Sequence, residues 1–90
     1  MENKLDGNAA AGTLQAIFPF EMTLAEATCA NCGAANAMGV VAAYMHGMGT
    51  VLRCPSCESV LMRIAHVHNR YWLDMRGMRT LLITEAEAPD

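Results

Sequence analysis

Four cysteines occur in the chain, and they form two C-x-x-C pairs: Cys29-Ala30-Asn31-Cys32-Gly33 and Cys54-Pro55-Ser56-Cys57. The 21 residues from Gly33 to Arg53 separate them. One C-x-x-C turn offers two thiolates to a single ion, with backbone N–H groups aimed back at the sulfurs. Two such turns close a tetrahedral shell and leave no open position. The spacing exceeds the usual template of about 15–20 residues by one, which a hairpin loop absorbs. The expected ligands are therefore Cys29, Cys32, Cys54 and Cys57, holding one zinc ion per chain. Iron is the runner-up metal.

Two other uses of four cysteines fit less well. Paired disulfides suit a secreted chain, but the first residues are polar and no apolar signal segment follows them. A thioredoxin-like dithiol needs one C-x-x-C at a strand-to-helix turn of a βαβ unit, and neither pair has that setting. Reduced thiols predict a cytoplasmic location. A domain of 90 residues has a marginal core unless something staples it, and a metal is a common staple. The hydrophobic fraction is 53%, yet no apolar run approaches the ~20 residues that a spanning helix needs. No membrane partner is expected.

The two knuckles differ in one residue. Gly33 follows the first pair, where positive φ is often needed, whereas Glu58 follows the second. Pro55 stiffens the second loop, and a different turn is expected there.

Along the chain, Asp6 reads as an N-cap for a short helix from Gly7 to Phe18, ended by Pro19. Residues 1–5 are expected to fray. Phe20, Met22 and Leu24 alternate with Glu21, Thr23 and Ala25, which predicts a half-buried strand into the first knuckle. Val40 to Met45 and Thr50 to Arg53 read as a hairpin about His46-Gly47-Met48-Gly49. A strand follows in which Val60, Met62 and Ile64 oppose Leu61, Arg63, Ala65 and Val67. Turns at Asn69-Arg70 and Arg76-Gly77 then bound strands at Tyr71–Asp74 and Arg79–Ile83. Asp74 and Gly77 suit a type I turn. The acidic tail is expected to be disordered. The expected organisation is an N-terminal helical arm over 1–19, a β domain over 20–84 and a tail over 85–90.

These residues resemble those of zinc-ribbon proteins. More narrowly, the chain resembles a small bacterial family catalogued only as a domain of unknown function. The resemblance is carried by Leu5-Asp6-Gly7-Asn8-Ala9 with Ala11-Gly12, Cys29-x-x-Cys32-Gly33 and Leu52-Arg53-Cys54-Pro55-x-Cys57. It continues in Val60-Leu61 with Arg63 and in Trp72-Leu73-Asp74-x-Arg76-Gly77 with Arg79. It implies a cysteine-bound zinc and a β-rich fold, but no reaction. The expected fold is a small β-rich zinc ribbon: two C-x-x-C knuckles on antiparallel hairpins, plus a short N-terminal helix.

The net charge of −3 is unevenly placed. Residues 51–80 carry five arginines (Arg53, Arg63, Arg70, Arg76, Arg79) against Glu58 and Asp74, a balance of +3, which leaves −6 elsewhere. Arg63, Arg70, Tyr71, Trp72, Arg76 and Arg79 are the candidate partner-binding residues. An arginine–aromatic patch of this kind suits bases and phosphates, although ion pairing of Asp74 with Arg76 and Arg79 that stabilises a turn explains part of it. His66 and His68, two apart on a strand, would share a face. Eight methionines serve as gap-fillers or as an adaptable surface.

No nucleophile–base series, phosphate-binding glycine loop or paired-carboxylate pocket is present, and a closed four-thiolate zinc has no site for an activated water. The reading is a non-catalytic zinc module acting through a protein partner or in regulation. A nucleic-acid-binding ribbon is second and a rubredoxin-like iron redox protein third. Strands apolar on both faces predict a homodimer through the sheet.

Overall fold

The computed structural model describes residues 4–47 and 49–84. The expected disorder of the tail, the fraying of residues 1–3 and part of the turn at Met48 lie outside these.

The chain runs β1 (Lys4–Asp6), a 3-10 turn (Gly7–Ala10), α1 (Ala11–Ile17), a second 3-10 turn (Met22–Leu24), β2 (Glu26–Cys29) and β3 (Ala35–Ala37). A third 3-10 turn (Met38–Val40) leads to β4 (Ala42–His46) and β5 (Gly49–Arg53). Then come β6 (Val60–Val67), β7 (Arg70–Asp74) and β8 (Met78–Leu82). Two antiparallel sheets result. One has the order β1-β4-β5-β6-β7, the other β3-β2-β8. The protein is thus β-rich with one short N-terminal helix. Among the described residues no helix is long and apolar enough to cross a membrane.

Asp6 caps the first turn as read: its carboxylate accepts from the Asn8 N–H at 3.1 Å. Phe18 is extended ahead of Pro19, at φ −113° and ψ 138°. The helical segment is split, with α1 starting only at Ala11. Ala10 and Leu14 are fully buried and belong to one core with Met38, Val41, Leu52, Leu61 and Met62.

Three local expectations are corrected. The alternation over Phe20–Ala25 does not make a strand. Met22 and Ala25 are both buried while Leu24 is 73% exposed. Burial at i and i+3 is what a single 3-10 turn provides, and the Met38 N–H donating to the Ala25 carbonyl at 2.7 Å closes it. The strand begins only at Glu26. Lys4 and Leu5, expected to fray, pair with Tyr44 and Ala43 at the sheet edge. Val40 lies in a 3-10 turn and is 59% exposed, so β4 begins two residues later.

In β6 the alternation holds for Met62 and Ile64, which face the core, and for Arg63, which faces out. Leu61 departs from it and is also buried. The β5–β6 register slips between Leu52 and Arg53, so Arg53 pairs with Val60 and Leu61 is the extra residue. A bulge of this kind lets two successive side chains enter the core.

Candidate metal centre

Each cysteine pair sits in a hairpin connection. Cys29 ends β2, and Cys32 lies in the turn to β3. Cys54 and Cys57 lie between β5 and β6. The two turns repeat the same hydrogen bonds. The Cys29 N–H donates to the Ala34 carbonyl at 2.9 Å, and the Cys54 N–H to that of Ser59 at 2.8 Å. Gly33 donates to the Cys29 carbonyl at 3.0 Å, and Glu58 to that of Cys54 at 2.9 Å. The Asn31 and Ser56 N–H groups each point at the first sulfur of their turn, at 3.4 Å.

This repeat overturns the expected difference between the knuckles. Glu58 takes φ +66°, close to the +79° of Gly33. The bond from residue i+4 back to the first cysteine requires the left-handed conformation in both turns. It costs a non-glycine residue about 1–2 kcal/mol. The Glu58 carbonyl also accepts from the Arg53 guanidinium at 2.9 Å, which holds the strained residue in place.

The four sulfurs lie within 4.8 Å of one another, and across the two turns Cys29–Cys57 is 3.7 Å and Cys32–Cys54 is 3.6 Å. A disulfide needs about 2.05 Å, and all four cysteines are free. A metal bound to four thiolates at about 2.3 Å in a tetrahedron sets the sulfurs about 3.8 Å apart. The donor set and its spacing therefore fit one tetrahedral metal ion.

The thiols differ electrostatically. Donors from the Ser59 side chain, the Asn31 side chain and the Ser59 backbone pull Cys57 down to about 6. Burial pushes Cys54 up, but the Cys57 and Ser56 N–H groups outweigh it and the net shift is downward. The Ala34 N–H lowers Cys32, yet desolvation and the other three sulfurs together drive it up to about 11. Four sulfurs this close cannot all ionise without a cation among them, and a divalent ion removes that conflict.

Away from the cysteines, the structure divides the candidate partner-binding residues. Cross-strand pairing places Arg63, Ala65, Arg70, Trp72 and Asp74 on the outer face of the five-stranded sheet. Tyr44 and Val51 continue that face across β4 and β5. Tyr71 points to the other face and stacks on His66, with ring centroids 4.1 Å apart and an angle of 14°. His68 is not on the strand at all. It sits in the β6–β7 turn at φ +51°, so the two histidines do not share a face. Arg76 is tied to Asp74 by a two-pronged contact, Nη2 to Oδ2 at 2.7 Å and Nε to Oδ1 at 3.0 Å. Its side chain and N–H hold the Asp74 carboxyl down at about 2. Arg79 is in β8, in the other sheet, where the register slips beside Cys29.

The outer face also has a member that sequence reading passed over. The Arg53 guanidinium lies 5.8 Å from the centre of the Tyr44 ring. Both residues occupy strand positions facing the same way as Val51, and that parity was the available signal. Trp72 is 68% exposed on this face. Beside it is an apolar depression of about 300 Å3, lined by Gly49, Val51, Arg63, Ala65 and Leu73 among others.

Two antiparallel sheets, a short helix and a four-cysteine cluster at two hairpin turns define a small β-rich protein whose sulfurs are placed to hold one metal ion. The chain belongs to a family described as a family of unknown function (DUF6510), whose profile matches residues 1–86. No curated protein and no solved structure matches it.

Proposed function

We propose that this is a zinc-ribbon interaction module: a non-catalytic domain in which structural zinc holds two hairpins together and an open sheet face meets a partner. The observation that carries it is the closed, pseudo-symmetric set of four thiolates. Both turns spend their backbone donors on sulfur, and Cys29 and Cys54 are buried. Such a site has no position for a substrate or an activated water, so the metal's role is to fold the chain. Zinc is favoured over iron as the resident of a structural four-cysteine site. Elemental analysis of purified protein is expected to give one zinc per chain in a colourless solution. A red preparation with one iron per chain would replace this reading with the rubredoxin-like one.

The outer sheet face supports a second reading, binding of single-stranded nucleic acid. Arg53, Arg63 and Arg70 share that face with the exposed Trp72 and the half-buried Tyr44, and aromatics with nearby cations suit stacked bases and phosphates. The net charge of −3 opposes strong nonspecific binding. The expected result is no saturable binding of a labelled single-stranded oligonucleotide at about 50 mM salt. Micromolar binding that weakens at about 200 mM salt and is lost in Trp72→Ala/Arg63→Ala would make nucleic acid the partner.

A further inference from the structure

The five-stranded sheet ends in β1 on one side and β7 on the other, and β7, the longer edge, is complementary to itself. Its sequence is Arg70-Tyr71-Trp72-Leu73-Asp74, with a cation at one end, an anion at the other and a tryptophan in the centre. Among the described residues its one strand neighbour is β6. Tyr71, Trp72 and Leu73 are all exposed, an unusual condition for three successive large apolar side chains in a strand.

The β6–β7 hairpin decides which backbone groups face that edge. His68 and Asn69 form a two-residue loop with φ +51° and +62°, the type I′ pattern. Such a loop closes on a hydrogen-bonded pair, here Val67 and Arg70. Bonded and non-bonded pairs then alternate along the ladder. Trp72 and Asp74 therefore direct their N–H and C=O groups toward β6, opposite Ala65 and Arg63. Tyr71 and Leu73 direct theirs outward, to the open edge.

We propose that two copies of this chain pair through β7, antiparallel, about a two-fold axis at Trp72. Tyr71 then faces Leu73 of the second copy, and the outward groups of both strands form four backbone hydrogen bonds. Trp72 faces Trp72, and Arg70 faces Asp74, each as a non-bonded pair, the arrangement that brings side chains closest. The choice of a second copy over another occupant comes from charge. The strand that best matches Arg70 and Asp74 is the same strand reversed, which an isologous interface provides automatically; the Asp74 carboxylate, which holds Arg76 within its own copy, keeps lone pairs for the second copy's Arg70. Pairing would join two five-stranded sheets into one and carry the outer face across both copies. The inference rests on the folded metal-centred domain but not on which metal it holds, and metal content is measured separately.

Light scattering or sedimentation from about 5 to about 500 μM at low salt reads the outcome, a range suited to a small and weak interface. The mass is expected to rise from 9.7 kDa toward twice that value. Leu73→Pro removes an outward N–H while leaving the β6 ladder intact, and is expected to raise the dissociation constant at least ~10-fold. Arg70→Glu is expected to weaken pairing similarly, and adding Asp74→Arg to it restores the match. Circular dichroism and metal content serve as folding controls. If Leu73→Pro fails them, the Arg70→Glu series decides alone. A monomer at the highest concentration would overturn the proposal. So would a dimer indifferent to the variants that fold, or a monomer that uses Trp72 to bind an oligonucleotide instead.

Discussion

Removing the metal is expected to unfold the protein. Cys29 and Cys54 are each 1% exposed and sit in the same core as Leu52 and Leu61. Their sulfurs meet those of the opposite turn, Cys29 with Cys57 at 3.7 Å and Cys54 with Cys32 at 3.6 Å, so a shared ion would join the β2–β3 hairpin to the β5–β6 hairpin. Structural zinc in small domains supplies about 10–16 kcal/mol of apparent binding free energy near neutral pH, against about 5–15 kcal/mol of total stability for a typical domain. The staple is therefore comparable to the whole net stability of such a domain. A strong chelator in mild denaturant is expected to abolish the β signal in circular dichroism, and re-adding zinc to restore it. Cys54→Ser is expected to be insoluble or unfolded. Cys32→Ser, at the exposed corner of the cluster, should bind metal more weakly yet retain partial structure. An unchanged spectrum after complete metal removal would refute the structural role.

The second large effect comes from two glycines with ordinary negative φ. A Cβ on Gly7 would fall on the carbonyl oxygen of Met38, and one on Gly77 on the carbonyl oxygen of Val60. Both obstacles are backbone, so no rotamer change relieves them. Gly77 also accepts the Ala30 N–H at 2.9 Å, which ties the first knuckle to the β7–β8 turn. Gly77→Ala must therefore push that turn away from β6 and disturb the cysteine site as well. We expect Gly7→Ala and Gly77→Ala each to destabilise the metal-loaded protein by about 3 kcal/mol or more. Gly12→Ala is the control. Nothing lies within 4 Å of its added carbon, and in α1 the change should stabilise by up to about 1 kcal/mol. Chemical denaturation at fixed metal concentration compares the three. A loss below about 1 kcal/mol at Gly77 would show that the β7–β8 turn can move away from β6.

Much of the site was legible in the order of residues, because a metal constrains chemistry and spacing together. Four cysteines in two matched pairs have few other uses. Within each pair the ligand geometry is local, set by the reach of one turn. Asp6 as a cap and Pro19 as a stop were readable because each acts on its immediate neighbours; the tight turn expected at Asn69-Arg70 falls one residue earlier, at His68-Asn69, with Arg70 already in β7.

Tertiary structure decided whatever depends on partners far along the chain. The Phe20–Leu24 alternation has a strand's period, but only packing against the Met38–Val40 turn shows that the same apolar residues serve a 3-10 turn. Leu61 enters the core because the β5–β6 register slips beside the second knuckle. The left-handed Glu58 is imposed by bonds back to Cys54, against its own preference. The arginine–aromatic cluster looked continuous from Arg63 to Arg79. Strand parity sends Tyr71 to the opposite face, and sheet topology sends Arg79 to another sheet. Sequence by itself determined which atoms could grip a metal, since thiolate chemistry travels with the residue. Which side chains share a surface was settled only by the pairing of strands, because a shift of one residue moves a side chain from one face of a sheet to the other.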